Sequence, residues 1–422
     1  VRLTACRAPL LALAALLAAC ASPTGSGKSP SGSDTGLPTG DTGGPGEDEA
    51  LLRAAIAGEV DAAEALATIA DRGGLPVPTA AGTHLFACTC GPGDWAVAGD
   101  HDGWAGAPMA AAGELRWVEL TVPEPVGSRY KFVGGGGASG APTWMADPLG
   151  RRHAYDENGR ISLVAAEAAH LQAWYGVSGG GLRARDVEVF VPAGGAFTHA
   201  LYAHDGQNLF DPAAIWGGWR LQEALPEGVL VIGVHNTPDR MDEYTHVPDR
   251  IDGVELGGRA DAYAELVDGL RSRMEEEYGV PRMSGLMGSS LGGLVSLVIA
   301  ELQPGRWDMA LSLSGTAGWG SIGVDGETVL DRYADLGPGG AAIYVDSGGG
   351  GPCEDRDGDG LQDDHPDSAD NFCENRQLAD QLAAQGYQWE VDLYHWHEAG
   401  APHNEQAWAA RVSRPLALFA AR

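Results

Sequence analysis

Two stretches of the chain set a serine between glycines in the pattern GxSxG: Gly176-Val177-Ser178-Gly179-Gly180 and Gly288-Ser289-Ser290-Leu291-Gly292. Placed on a sharp turn, with a base to take its proton, such a hydroxyl attacks carbonyl carbon and performs acyl transfer. The pattern alone does not choose between the copies. The first follows Ala173-Trp174-Tyr175 and runs into a further glycine and Leu182, with no strand expected before it and no helix after, so it reads as a loop. The second follows the strand-like SGLM and opens into the apolar stretch LGGLVSLVIAEL. That is the strand, tight turn and helix of a nucleophile elbow, with Gly288 and Gly292 removing side chains that would clash. Ser290 is the candidate nucleophile, with the positive end of a helix behind it.

The elements that must position this serine are legible around it. VEVFV, ALYAHD, VLVIGV, SGLMG, MALSLSG and AAIYVD are short apolar runs, and DAYAELVDGLRSRMEEEY, LGGLVSLVIAEL and ENRQLADQLAAQG are helical stretches between them. Strands alternating with helices predict an α/β fold with a largely parallel sheet covered on both faces. In an elbow-bearing sheet of this kind the histidine comes last in chain order. His365, His395, His397 and His403 follow Ser290. His403 lies between the strand-like WEVDLYHW and a final helix starting near Glu405, whereas His395 and His397 fall within or at the end of that strand. His403 is the candidate general base.

The segments YAHDGQNLFD, MDEYT, MGSSLGG and HEAGAPHNEQAWAAR, spread over roughly residues 183–418, resemble the esterase D and enterochelin esterase-like branch of the α/β-hydrolases. The resemblance implies ester hydrolysis by Ser290 and His403, with the backbone N–H groups of Leu291 and Gln207 as oxyanion donors, each worth about 3–4 kcal/mol of barrier. It implies no organic cofactor. Asp205 and Asn208 are expected to shape the HDGQN loop. Arg240, Glu243 and Tyr244 are expected in the pocket wall, with a surface ion pair the other reading of the first two. The family places its acid in the loop after the strand corresponding to AAIYVD, and here that loop is enlarged to residues 348–373. Asp370, just before a helix and pinned by Cys373 if that residue bridges Cys353, is the favoured acid. Asp346, Asp355 and Asp364 are the alternatives.

Within this insertion Asp355, Asp357, Asp359, Gly360, Leu361 and Asp363 alternate as in loops that wrap a hard cation. A structural calcium ion is the expectation, with ligands from Asp355, Asp357, Asp359, Leu361 and Asp363. Pro366 stands where an EF-hand has its bidentate glutamate, and the DxDxDG core resembles thrombospondin type 3 repeats. A solvated acidic loop is the other reading.

Upstream, HLFACT, WAVAG, LRWVELTV and RYKFV are short strands punctuated by turns, the pattern of a small β-sandwich over 80–165. AVAGDHDGW, YKFV and WMADP resemble the starch-binding-like β-domain that precedes the catalytic part of enterochelin esterase-like proteins. Trp95, Trp104, Trp117 and Trp144 are either a sugar-stacking platform or the core and rim of the sandwich. Residues 47–75 read as a helical segment, residues 20–46 as a disordered tether of Gly, Ser, Thr, Pro and Asp, and residues 170–422 as the α/β-hydrolase domain. Arg2 and Arg7 before an apolar run ending Leu17-Ala18-Ala19-Cys20 resemble a bacterial lipoprotein signal, residues 1–19, with Cys20 acylated. The expectation is an exported chain anchored to the cell envelope by lipid alone. Export permits disulfides. Cys353 and Cys373, which bracket the acidic loop, are the expected pair, and Cys88 and Cys90 stay open.

With 27 Lys+Arg against 58 Asp+Glu, the chain carries a net charge of −31. That disfavours nucleic acid and strongly anionic substrates. The expected partner is a small-molecule or glycan-linked ester: acetyl or feruloyl esters of polysaccharide, or siderophore-type esters. An acyltransferase with the same residues and a non-catalytic carbohydrate-binding lipoprotein are the competing classes.

Overall fold

The computed structural model describes residues 45–135 and 141–422. The signal segment, Cys20 and nearly all of the tether lie outside the described residues. The chain divides into two compact units, one running to Val177 and taking in Asp186–Ala196, the other formed by Ser178–Arg185 and Phe197–Arg422. Among the described residues no helix is long and apolar enough to cross a membrane.

In the first unit, helices Pro45–Ala57 and Ala62–Arg72 bury Leu52, Ala55, Leu66 and Ile69 against Leu75, Val77, Leu85 and Leu115. Asp61 starts the second helix by accepting from the Glu64 N–H at 2.9 Å, one of the donors a helix start leaves unpaired. The helical segment is therefore part of the core of the β-rich unit, not a separate preface to it. One antiparallel sheet runs Val77–Pro78, His84–Cys88, Leu115–Leu120, Ala110–Ala112. A second antiparallel run joins His170–Val177, Arg152–Asp156, Gly159–Leu163, Arg129–Gly134 and Trp95–Gly99. Phe86 of the first sheet and Val97, Tyr130 and Phe132 of the second share one core.

The four tryptophans separate. Trp117 packs on the helical core and Trp95 on the inter-sheet core, while Trp104 and Trp144 meet at 6.1 Å between ring centroids. Cys88 and Cys90 are bridged to each other. The change of pattern expected at residue 170 falls later, because His170–Val177 and the VEVFV strand cluster with the first unit. The first GxSxG copy thus does have a strand before it, and no helix follows.

The second unit is the α/β part. Its parallel strands lie in the order Leu393–His397, Ala342–Ser347, Met309–Leu313, Met283–Ser289, His199–His204, Val229–Val234. Every residue of the strands at 199–204, 229–234, 309–313 and 342–347 is buried. Successive side chains of a strand point to opposite faces, so this burial means both faces are covered, and the runs are apolar for that reason. The expected strand WEVDLYHW begins only at Leu393. Glu390 sits at φ 60° and the Val391 and Asp392 N–H groups both turn back to the Gln388 carbonyl, so the first half is a turn.

Candidate active site

Strand Met283–Ser289 ends where helix Leu291–Leu302 begins, and Ser290 between them takes φ 56°, ψ −125°. Such backbone costs a non-glycine residue about 1–3 kcal/mol and persists only where its surroundings hold it. Here the Ser290 N–H donates to the Leu313 carbonyl at 3.0 Å, and its own carbonyl accepts from the Leu294 N–H at 3.0 Å. A Cβ on Gly288 would stand 2.5 Å from the carbonyl carbon of Gly292, so the motif's first glycine is required by close approach. Ser290 is only 5% exposed. It lines one cavity with Ser289, Asp205, Asn208, Arg240, His403 and Glu405, closed by Ile215, Trp216 and Trp408.

Of the four histidines after Ser290, His403 is the one in this cavity. Its Nδ1 lies 2.5 Å from Asp370 Oδ1, which leaves Nε2 for the serine side. The Trp408 ring meets the His403 ring edge to face at 5.0 Å, fixing its plane. His397 is stacked on Phe372 at 3.7 Å, and burial pushes His395 down to about 4. His365 lies on the acidic loop, 4.0 Å from Asp367.

Asp370 is fully enclosed by donors. Besides His403, its Oδ2 accepts from Ser314 Oγ at 2.7 Å, from the Gly348 N–H, and from Arg411 Nη2 at 3.5 Å. The other carboxylates considered for the acid are engaged elsewhere. Asp346 pairs with Arg411 Nε at 3.0 Å and accepts from Tyr344 Oη at 2.9 Å, and burial pushes it up to about 6 despite the arginine. Asp364 accepts from the N–H groups of Asp370, Phe372 and Cys373 at 2.7, 3.0 and 2.7 Å. It thereby builds the turn that presents Asp370. Asp355 binds the N–H groups of Gly358 and Gly360 in the exposed loop. Cys353 and Cys373 are bridged, as expected, closing the loop that carries Asp370.

The HDGQN loop follows strand His199–His204 and turns at Asp205, φ 58°. Arg240 grips Asp205 with two bonds of 2.8 Å, and Asn236 Nδ2 adds a third of 2.6 Å. Burial drives the Asp205 carboxyl up, but the guanidinium outweighs it and holds the group below the usual carboxylate range. Arg185 and Glu243 form a second two-pronged pair, both bonds 2.8 Å and both side chains almost wholly buried. The surface reading of Arg240 and Glu243 is thereby corrected: these charges are interior, where removal of one partner costs about 3–5 kcal/mol. Gln207 lies between the cavity residues Asp205 and Asn208, its side chain turned to the Asn236 N–H at 3.1 Å. Leu291 opens its helix, so its N–H belongs to the first turn, which has no intrahelical acceptor.

His204, at the base of this loop, is buried beside the Tyr263 hydroxyl, with Nδ1 at 3.0 Å, and burial drives it down to about 3. It stays neutral in the fold but takes a proton in the unfolded chain below about pH 6.5. Its contribution is therefore complete above that pH and is lost as pH falls toward 3, by roughly 2 kcal/mol at pH 5. Urea midpoints at pH 7 and pH 5 should show a smaller loss for His204→Gln than for wild type; equal losses would exclude His204 as the source.

The cation loop is gathered in part. Asp355, Asp357 and Asp359 bring one carboxylate oxygen each within 4.8 Å of one another on the surface. Asp363 does not join them, since it accepts from the Arg356 N–H at 2.9 Å and faces that guanidinium at 3.5 Å. Leu361 donates its N–H to Asp359.

Sequence reasoning missed Ser314, Glu405, Trp408 and Arg411. Ser314 (φ 46°) accepts from Trp408 Nε1 at 3.0 Å and Arg411 Nη2 at 2.6 Å while donating to Asp370. Trp408 and Arg411 lie three apart on helix Glu405–Arg411, one face of a turn, and that spacing just after His403 was the available signal. Burial pushes the Glu405 carboxyl up, and neighbouring Asp205 adds to this.

The family model described as putative esterase matches residues 182–419. Among curated proteins, the uncharacterized protein YbbA of Bacillus subtilis (strain 168) is 30% identical over 159 residues, which is 35% of this chain and 60% of that protein. The chain thus spans 60% of the length of the curated relative it matches. Among solved structures, the ferric enterobactin esterase of Salmonella typhimurium is 15% identical with a TM-score of 0.43, covering 82% of this chain and 96% of that one. The siderophore hydrolase EstA of Aspergillus nidulans is 20% identical with a TM-score of 0.44, covering 59% and 95%.

Proposed function

Since the chain belongs to the putative esterase family, we propose that it hydrolyses carboxylic esters with Ser290 as nucleophile, His403 as general base and Asp370 as the acid that orients His403. The observation that carries this reading is the convergence of Ser290 and His403 on one cavity, with Asp370 bonded to the far nitrogen of the imidazole. His403 Nε2 takes the Ser290 proton as Oγ attacks the acyl carbon, and the negative charge on the carbonyl oxygen falls to the N–H groups of Leu291 and Gln207. The alcohol leaves with the proton from His403. Water, deprotonated by the same imidazole, then frees the acid from Ser290.

Within this class, the net charge of −31 and the presence of Glu405 in the cavity favour uncharged esters. Acetyl or feruloyl esters of polysaccharide rank ahead of siderophore-type triesters. Hydrolysis of a short-chain p-nitrophenyl ester by the full chain tests the reading, and absence of turnover across acyl lengths from acetyl to octanoyl would sink it.

Asp355, Asp357 and Asp359 belong to the same reading as holders of a structural calcium ion, which would supply positive charge to a loop of like charges. Chelation of the calcium-loaded protein should lower its melting temperature by roughly 5 °C. A melting temperature indifferent to chelator removes the calcium.

A further inference from the structure

Trp216 lines the cavity that holds Ser290 and His403, yet 61% of its surface faces solvent. Its backbone sits at φ 56°, ψ 22°. Bulky L side chains avoid that conformation, and an indole left in water forgoes the burial that is its main contribution to folding. Two unfavourable features in one residue at a cavity mouth point to a task other than stability.

The turn that carries Trp216 is fixed. The N–H groups of Gly217 and Gly218 donate to the carbonyls of Ala214 and Ile215 at 3.0 and 3.1 Å, and the Trp219 N–H reaches Asn208 at 2.8 Å. A Cβ on Gly218 would stand 2.4 Å from the Asp211 carbonyl oxygen, so glycine is needed to close the turn. Residues 215–217 also pack on helix Glu405–Arg411, the helix that follows His403. The turn is therefore tied both to Asn208 and to the helix that follows His403.

The cavity that Ser290, His403 and Trp216 line together is partly open and leaves about 30 Å³ for the centres of water-sized groups, room for one or two waters. Only a small group enters it, and the larger end of an ester must lie at the mouth, against Trp216. When Ser290 Oγ bonds to the acyl carbon and the ester C–O bond breaks, the acyl group stays and the alcohol departs. The part at the open mouth is the one free to leave.

We propose that Trp216 sets substrate specificity by stacking its indole on the flat apolar face of a ring-bearing alcohol, aromatic or pyranose, whose small acyl group sits in the enclosed end at Ser290. This rests on the ester-hydrolysis reading and, within it, selects acetyl over feruloyl esters. The alcohol is recognised by its face, with Asn208 and Glu405 as the polar groups beside it.

The test measures kcat/KM of the full chain and its Trp216→Ala and Trp216→Phe variants on four esters: 2-phenylethyl acetate, methyl 6-O-acetylglucopyranoside, butyl acetate and ethyl 3-phenylpropanoate. Trp216→Ala should lose about tenfold on at least one ring-alcohol acetate, mainly through KM, with less than about twofold on the other two esters. Trp216→Phe should recover part of the loss, and the ring ester that responds identifies the ring class. Because the side chain is exposed, the melting temperature of both variants should match wild type. An equal change on all four esters, no change on either ring acetate, or a loss confined to ethyl 3-phenylpropanoate overturns the proposal. Wild type inert toward these four and toward nitrophenyl esters removes the ester-hydrolysis reading itself, a distinct result.

Discussion

Ser290→Ala is expected to lower kcat for a p-nitrophenyl ester by about 10⁵–10⁶-fold while leaving KM nearly unchanged. In the proposed mechanism the oxygen removed is the atom that bonds to the acyl carbon. Ser289 lines the same cavity but closes the strand Met283–Ser289 and lies outside the positive-φ turn that Ser290 occupies. Ser289→Ala is therefore the internal control, expected within a few-fold of wild type. Folding does not confound the comparison, because alanine meets the same positive-φ penalty at position 290 as serine and the Ser290 backbone bonds to Leu313 and Leu294 are kept. A residual rate above water is expected from the Leu291 and Gln207 donors and from binding. Retention of more than about 1% of wild-type kcat in Ser290→Ala, or collapse in Ser289→Ala instead, would assign the chemistry to another group.

The same contrast shows what a linear sequence can and cannot convey. Ser290 was legible because its evidence is local: a strand, two glycines and a helix within a single turn of chain. His403 was legible from chain order. The strands at 199–204, 229–234, 309–313 and 342–347 were legible because strands buried on both faces must read as continuous apolar runs, while the half-buried strand Leu393–His397 was drawn too long. Asp370 was ambiguous for a physical reason: the insertion at 348–373 offers many carboxylates, and only tertiary packing separates the one that meets His403 from Asp364, which meets backbone. Ser314 was silent, since 97 residues separate it from Arg411 and their bond exists only once helix Glu405–Arg411 docks. For Arg240 and Glu243 the choice between pocket wall and surface ion pair stayed open, and their buried partners Asp205 and Arg185 went unread, because a charged residue carries no sequence mark of burial when its partner is distant. In the first unit, the helices at 45–72 looked like a preface because their apolar face, judged alone, does not say which sheet it covers.

Asp370→Asn should lower kcat by about 10⁴-fold with a far smaller effect on KM. In the proposed mechanism the carboxylate holds His403 by Nδ1, at 2.5 Å, so that Nε2 is free to accept, and balances the imidazolium that forms as Ser290 gives up its proton. Asparagine has nearly the same shape, and its amide can donate to Nδ1, which turns the imidazole to the tautomer that cannot act as base. The rate should recover in part as pH rises, when hydroxide substitutes for the lost base. Two neighbours separate this role from support of the loop. Asp364→Asn removes acceptor strength from three backbone N–H groups, so it should lower melting temperature while kcat falls modestly. Asp346→Asn leaves Arg411 with a weaker partner, and its main cost should again be stability. The pattern expected is thus a kcat collapse at 370 with the melting temperature largely kept, and the reverse at 364 and 346. Were Asp364→Asn or Asp346→Asn to show the 10⁴-fold collapse while Asp370→Asn stayed within tenfold of wild type, Asp370 would be a loop anchor and the acid would lie elsewhere.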